Sequence, residues 1–176
     1  MNQDSLLEAI KGGMKGELDS IAVYESAAGQ ATGEAKDFFL ERADEEKKHY
    51  NWLLSYYKDV GGGKKPQRDF AAEAAEAAET EETAGRPGER SPILSEDFLR
   101  RIGQSRQLSA AVSAAALLEI TAVRYYQTKA EETLVPAVKS FFENLAEWED
   151  KHYHELTAIQ EESERFYWDA NNWEPF

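Results

Sequence analysis

Two copies of one residue pattern could together hold a pair of metal ions. Each copy has a glutamate, a tyrosine seven positions later, and a Glu-x-x-His that begins 29 or 30 residues after the first glutamate. The residues are Glu17, Tyr24, Glu46 and His49 in the first copy and Glu119, Tyr126, Glu149 and His152 in the second. On a helix, residues three apart share a face, so each Glu-x-x-His can direct a carboxylate and an imidazole at one ion. Two lone glutamates and two Glu-x-x-His motifs, brought together in a helix bundle, form the ligand set of a two-metal carboxylate site.

The repetition separates this pattern from chance. Glutamate is so frequent in the chain that a single Glu-x-x-His is weak evidence, and solvated glutamates with helix-capping histidines are the alternative interpretation. The third histidine, His154, has Lys151 three residues before it and lacks the motif. Matched spacing in both copies, with a tyrosine at the same offset, favours the metal site.

Composition limits the classes of function. The chain has 176 residues, 41% of them hydrophobic, which suffices for one folded domain with a full core. Its net charge of −14 argues against a nucleic-acid or anionic-membrane partner, because both require clustered lysine and arginine. The absence of cysteine excludes disulfides, thiol catalysis and a cysteine-bound iron centre within these residues. We expect a soluble, cytoplasmic protein, since we find no export signal and the apolar stretch 108–123 is too short and too polar to span a bilayer.

Hydrophobic periodicity predicts four long helices. The expected ranges are 5–30, 34–59, 95–131, and from 133 or 136 to 164. A capping box that begins at Ser5 would open the first helix. Glu17 and Tyr24 fall in the apolar stripe of this helix, where an unpaired carboxylate needs a cation, a donor or a proton. Glu45 points away from the inner face of the second helix, and we expect it to be solvated.

The connections between the helices predict the topology. Short connections within the first and second helix pairs favour two antiparallel hairpins, so residues 61–94 must form one long crossover. An Ala/Glu run in the crossover predicts a short surface helix over residues 70–82. We therefore expect an all-α four-helix bundle over residues 1–163. The aromatic tail, residues 164–176, is expected to pack on the bundle or on a partner subunit.

Four segments resemble the rubrerythrin branch of the ferritin-like superfamily. They are GELDSIAVYESAA (16–28), ADEEKKHY (43–50), LLEITAVRYY (117–126) and EWEDKHYHEL (147–156). The resemblance implies a ferritin-like bundle, often a homodimer, that holds two iron ions per chain, with manganese as the alternative, and reacts with peroxide or oxygen. The metal ligands that it implies are Glu17, Glu46, His49, Glu119, Glu149 and His152. Glu46 and Glu149 would bridge the ions, while Tyr24 and Tyr126 would hydrogen-bond a ligand or give up an electron, unless they are ordinary core tyrosines.

Two departures from the family pattern limit what the resemblance implies. Rubrerythrins usually append a cysteine-rich, rubredoxin-type electron-transfer domain, and a chain without cysteine has no counterpart for it. They also commonly add a carboxylate on the third helix near the iron site. The positions one turn from Glu119 are instead Ala115, Ala116, Ala122 and Val123. A six-ligand site similar to that of bacterioferritin remains.

The sequence therefore predicts a di-iron oxidoreductase, a peroxidase or oxidase that reduces hydrogen peroxide or dioxygen with electrons from an external donor. Three alternatives stay open. Iron oxidation and storage would require an assembly that encloses a cavity, and substrate hydroxylation would require an open apolar pocket beside the metals. The third alternative is a metal-free interaction bundle.

Overall fold

The computed structural model describes residues 1–63 and 95–170. In chain order, the helices of these residues are α1 (Gln3–Gln30), α2 (Glu34–Gly61), α3 (Glu96–Gln104), α4 (Arg106–Glu131) and α5 (Pro136–Ala170). The described residues contain no strand, so the predicted all-α class is confirmed. The helix expected over residues 70–82 and the end of the aromatic tail, residues 171–176, lie outside the described residues.

Side-chain and glycine caps determine where the first two helices begin and end. The expected capping box at Ser5 is wrong, because Asn2 is the N-cap of α1 and its side chain accepts a hydrogen bond of 2.8 Å from the Ser5 backbone N–H. Gly33, at φ 59°, turns the chain between α1 and α2 in the left-handed region that favours glycine. At the end of α2, the Gly62 backbone N–H donates to the Lys58 carbonyl and closes the last turn.

The third predicted helix, residues 95–131, is two helices in the structure. Ser105 lies between α3 and α4 in an extended conformation, and its hydroxyl accepts a hydrogen bond of 3.3 Å from the Leu108 backbone N–H. The break lets α3 pack closely on α5, where a Cβ on Gly103 would lie only 2.3 Å from the Ser163 carbonyl oxygen. The prediction of one continuous helix is wrong. The apolar periodicity continues through Ser105, but the break occurs where α3 packs on α5, and periodicity within one segment does not report a contact with a distant helix.

The long helices pack as the two predicted antiparallel hairpins, α1 with α2 and α4 with α5. Gln3, near the start of α1, donates a hydrogen bond to the carbonyl of Val60, near the end of α2. Ser95, directly before α3, donates to the Glu34 carboxylate at the start of α2. The chain therefore leaves α2 at one end of the bundle and enters α3 at the other end, as a long crossover requires.

The last helix is longer than predicted. α5 begins at Pro136, a favourable first-turn position for proline, but it runs to Ala170 instead of ending near residue 164. Phe166 is buried in a cluster with Phe98 and Ile102 of α3. Residues 165–170 of the expected aromatic tail therefore continue the helix, because burial of Phe166 against α3 stabilises the added turns.

By length and composition alone, α4 is long and apolar enough to cross a membrane. The apolar helix is longer than the stretch 108–123 that the sequence analysis considered, because it continues to Glu131. One such helix among the described residues is weak evidence for a membrane span, since a core helix of a soluble protein passes the same test. The middle of α4 carries Glu119, which is fully buried inside the bundle.

The buried apolar side chains form two layers, one toward each end of the bundle. The first layer contains aromatic residues such as Phe38, Phe39 and Phe98. The second layer includes Leu53 and Phe142. Between these layers, each of the four long helices contributes buried charged or titratable residues. The fold thus places a polar cluster in the middle of the bundle, with apolar packing above and below it.

Candidate metal centre

All six residues predicted to bind metal converge in this middle layer. Each is at most 5% exposed. The contributors are Glu17 from α1, Glu46 and His49 from α2, Glu119 from α4, and Glu149 and His152 from α5. The three-residue spacing places the carboxylate and the imidazole of α2, and likewise of α5, one turn apart on the inward face. We call Glu17 and Glu119 the lone glutamates, and Glu46 and Glu149 the central glutamates.

The donor atoms form two overlapping groups that share the central glutamates. One group contains Glu17, Glu46, His49 and Glu149, and the other contains Glu46, Glu119, Glu149 and His152. Within each group the donor atoms lie within 4.8 Å of one another. His49 Nδ1 lies 3.0 Å from Glu149 Oε1, and His152 Nδ1 lies 3.0 Å from Glu46 Oε1. Each imidazole therefore faces the central glutamate of the opposite helix.

The two predicted tyrosines contact the lone glutamates crosswise. The Tyr24 hydroxyl of α1 donates a hydrogen bond of 2.5 Å to Glu119 Oε1 of α4. The Tyr126 hydroxyl of α4 donates to Glu17 Oε1 of α1. Burial and the adjacent carboxylate raise the pKa of both hydroxyls well above the usual range, so both remain protonated donors. The second oxygen of Glu17 lies 3.7 Å from His49 Nδ1, and the second oxygen of Glu119 is buried without a well-directed hydrogen bond.

Burial and mutual repulsion divide the four glutamates into two kinds. Burial, reinforced by repulsion from Glu149, raises the pKa of Glu17 well above its usual range. Burial and the charges of Glu149 and Glu46 also raise the pKa of Glu119. Burial opposes the ionisation of Glu46 as well, but the attraction of His49 and His152 together outweighs it and lowers the Glu46 pKa well below the usual range. The same histidine helps to lower the pKa of Glu149 despite burial and the repulsion of Glu46.

The histidines complete a charge balance within the cluster. Burial alone would lower the pKa of His49, but attraction by Glu149 and Glu46 raises it well above its usual range. Burial and the carboxylates act in the same opposing ways on His152, and its pKa is also raised. Without metal, these directions favour a proton on each histidine and on each lone glutamate, and ionised central glutamates. The two imidazolium charges then balance the two ionised central glutamates.

The comparison with known families agrees with this geometry. A family model described as Rubrerythrin matches residues 8–88. The matched range contains Glu17, Tyr24, Glu46 and His49, which form one half of the cluster. Over these residues the chain is similar to rubrerythrins, and the match supports a rubrerythrin-like protein with a ferritin-like bundle. Comparison with curated proteins finds no match.

In this rubrerythrin-like chain, the second half of the cluster comes from helices outside the matched range. α4 and α5 supply Glu119, Glu149 and His152. Their assignment therefore rests on the internal repeat of the sequence and on the convergence of the two halves in space. The two lines of evidence are independent, because spacing along the chain does not require that the halves meet.

The donor set of the rubrerythrin-like centre fits divalent cations. Glu119 Oε2 and both carboxylate oxygens of Glu149 are buried and make no well-directed hydrogen bond within the described residues. Buried carboxylates without well-directed hydrogen-bond donors are costly, and divalent cations would balance the charge of the glutamates. Oxygen and imidazole donors suit iron or manganese better than metals that prefer thiolates. The family match and the cluster together indicate metal binding, with iron as the metal that the family favours.

One residue of the cluster was missed by the sequence analysis. Glu45 was expected to point away and to be solvated, but its side chain is only 20% exposed and its Oε2 lies 3.2 Å from His152 Nε2. Arg42, one turn earlier on α2, contacts the same oxygen at 2.7 Å. The prediction is wrong because His152 reaches Glu45 from another helix. The pairing of Arg42 with Glu45 at i, i+3 was the available signal that this glutamate is held in place.

Proposed function

We propose that this rubrerythrin-like chain is a di-iron oxidoreductase that reduces hydrogen peroxide or dioxygen with electrons from an external donor. The observation that carries the proposal is the pair of overlapping, buried donor groups that share Glu46 and Glu149. Two ferrous ions bound there would supply two electrons together to one peroxide molecule and so avoid one-electron radical products.

Each residue of the cluster has a specific role in the proposal. Glu17 and His49 would bind one ion, and Glu119 and His152 would bind the other. The central glutamates lie between these two pairs and would bind both ions. The tyrosine hydroxyls hold one oxygen of each lone glutamate, which orients the other oxygen without adding charge. The apolar layers above and below exclude water, which strengthens the electrostatic interactions within the cluster.

An anaerobic titration tests the proposal. Metal-free protein receives Fe²⁺ in steps, and elemental analysis after desalting should give two iron ions per chain. Peroxide is then added to the reduced protein while the ultraviolet and visible absorbance is recorded by stopped flow. We expect about one hydrogen peroxide to be consumed per pair of ions, after which consumption stops, because two ferrous ions carry two electrons. Added ascorbate or another chemical reductant should restart it.

The outcomes separate the proposal from its competitors. One bound ion per chain, or none, would overturn the di-iron assignment. Sustained peroxide consumption without a reductant would replace it with catalase-like dismutation. Iron oxidation that continues far beyond two ions per chain, with mineral retained in a large particle, would replace it with storage. Hydroxylation would be supported by oxygen consumption that depends on an added apolar substrate.

The electron donor, the assembly and the location are further parts of the proposal. The 176 residues contain no cysteine, so we expect electrons to come from a redox centre outside these residues. The net charge of −14 supports the expectation that nucleic acid and anionic membranes are not partners. We propose a cytoplasmic homodimer of the 19.9 kDa chain. Sedimentation equilibrium checks the dimer, since a single species at the chain mass would contradict it.

A further inference from the structure

The internal repeat that makes the two halves of the centre alike also shows where they differ. Superimposing the Glu46 and His49 motif on the Glu149 and His152 motif pairs Glu45 with Trp148. The same superposition pairs Trp52, three residues after His49, with Glu155, three residues after His152. At both positions, one half has a carboxylate where the other half has an indole. The outer surroundings of the two histidines are therefore opposite in chemical kind.

The outer nitrogen of His152, Nε2, lies next to the Glu45 carboxylate, which Arg42 holds in place. Glu45 Oε2 is 3.2 Å from His152 Nε2, while His152 Nδ1 faces the central glutamates. Arg42 Nη1 lies 2.7 Å from Glu45 Oε2 and 3.3 Å from Glu155 Oε2, so one guanidinium joins two carboxylates of different helices. The side chains of Arg42, Glu45 and Glu155 are 13%, 20% and 25% exposed. This partial burial limits solvent screening of the network.

His49 is held by aromatic rings instead. Its ring stacks on Trp148 at a centroid distance of 5.3 Å and an interplanar angle of 6°, and on Trp52 at 5.4 Å. The ring centroids of the two indoles are 4.5 Å apart. Among the described residues, the carboxylates within ion-pair distance of His49 approach Nδ1, the nitrogen that faces the cluster. Stacking orients the imidazole of His49 but does not supply a hydrogen-bond acceptor at its outer nitrogen.

This difference has a direct consequence for metal affinity. A carboxylate that accepts the outer N–H of a ligand histidine fixes its tautomer and makes the other nitrogen a stronger donor. Removal of such a partner typically weakens metal binding by about 10- to 100-fold. We propose that Glu45 is a positioning residue for His152, and that it makes the metal position at His152 tighter than the position at His49. This inference rests on the proposed metal centre, and it predicts that the two ions bind in sequence.

A Co²⁺ titration of the metal-free protein tests the assignment, because Co²⁺ is stable in air at neutral pH and gives both absorbance bands and shifted proton resonances. We expect two binding steps in the wild-type protein. Glu45→Gln keeps the shape of the side chain and removes its charge, and we expect it to weaken the first step about 10- to 100-fold while the second step keeps its affinity. Glu41→Gln is the matched control, since it makes the same charge change at an exposed position of α2.

Two further readouts distinguish positioning from a general loss of structure. In the Co²⁺-loaded protein, the exchangeable Nε2–H resonance of His152 should exchange faster with solvent in Glu45→Gln than in Glu41→Gln, because Glu45 no longer accepts it as a carboxylate. The thermal unfolding of the two metal-free variants should be similar. Glu45→Asp, which keeps the carboxylate, should lose less affinity than Glu45→Gln.

The outcomes distinguish a failure of this inference from a failure of the proposed metal centre on which it rests. A wild-type protein that binds no Co²⁺, Fe²⁺ or Mn²⁺ would overturn the metal centre and this inference with it. A wild-type protein that binds two ions, with the same titration curve for Glu45→Gln as for Glu41→Gln, would overturn the role of Glu45 alone. Equal weakening of both steps, together with a lower unfolding temperature of the metal-free Glu45→Gln variant, would show that Glu45 supports the fold and not one metal position.

Discussion

Metal binding to this cluster should displace the protons that its histidines and lone glutamates hold. Without metal, the raised pKa values of His49, His152 and the lone glutamates favour a proton on each of these four groups, and we expect all four protons to be present near pH 6. The positive charge on the histidines then balances the ionised central glutamates. Two divalent cations bring four positive charges into the same buried space, and neutrality is kept only if the four protons leave. We therefore expect about four protons to be released per two ions near pH 6.

The number of released protons should fall as the pH rises, and the stability should change with it. A group whose pKa is raised by folding stabilises the metal-free fold below its unfolded pKa, and this contribution is lost as the pH rises through its folded pKa. The stability that protonated His49 and His152 contribute to the metal-free protein is therefore lost progressively as the pH rises above about 6.5, the ordinary histidine value. Metal replaces the missing protons. The increase in unfolding temperature on metal binding should consequently be larger at pH 8 than at pH 6.

Isothermal titration calorimetry with Mn²⁺ in two buffers of different ionisation enthalpy measures the proton count, and differential scanning fluorimetry measures the unfolding temperatures. His154→Ala is the control, because His154 is 71% exposed and should leave the proton count unchanged. Release of less than about one proton per two ions at pH 6 would refute the reasoning, since neutrality would then be kept in another way. A metal-induced increase in unfolding temperature that shrinks from pH 6 to pH 8 would refute it equally.

Two other substitutions follow from the structure. His152→Ala should reduce the bound metal to one ion per chain while His154→Ala keeps two, as measured by elemental analysis after Fe²⁺ loading; equal losses would mean that the register of α5 differs from the one described. Gly103→Ala should destabilise the protein by about 1–3 kcal/mol, because the added Cβ would lie 2.3 Å from the Ser163 carbonyl oxygen and α3 must move away from α5. Urea unfolding measures this loss, and an unchanged midpoint would show that α3 accommodates the methyl group.

The sequence was sufficient to predict the bundle and the convergence of the six residues, for identifiable physical reasons. Glu17 lies in an apolar helical stripe, so burial of its side chain follows from the 3.6-residue period. The spacing of each Glu-x-x-His then places the remaining donors on inward faces. Both arguments depend only on positions within one helix, which is the range over which periodicity is informative.

Contacts between helices could not be predicted in the same way. The tyrosine at plus seven is visible in the sequence, but the acceptor of Tyr24 is Glu119 on α4, because α1 and α4 approach each other side by side. Glu45 is one residue from the inward face of α2, and only the position of His152 on α5 gives it a partner. The break at Ser105 likewise accompanies the packing of α3 on α5, and this contact lies between helices that are far apart in the sequence.

The same limit explains why an internal repeat can mislead. Two halves with matched ligands suggest two equivalent metal positions, and that inference is sound for the residues that the repeat contains. Two of the positions around them are not repeated, because Glu45 corresponds to Trp148 and Trp52 corresponds to Glu155. A carboxylate and an indole make different electrostatic fields at the outer nitrogen of a ligand histidine. The symmetry of the donors therefore determines where two ions would bind, while the asymmetry of their neighbours would determine which ion binds first.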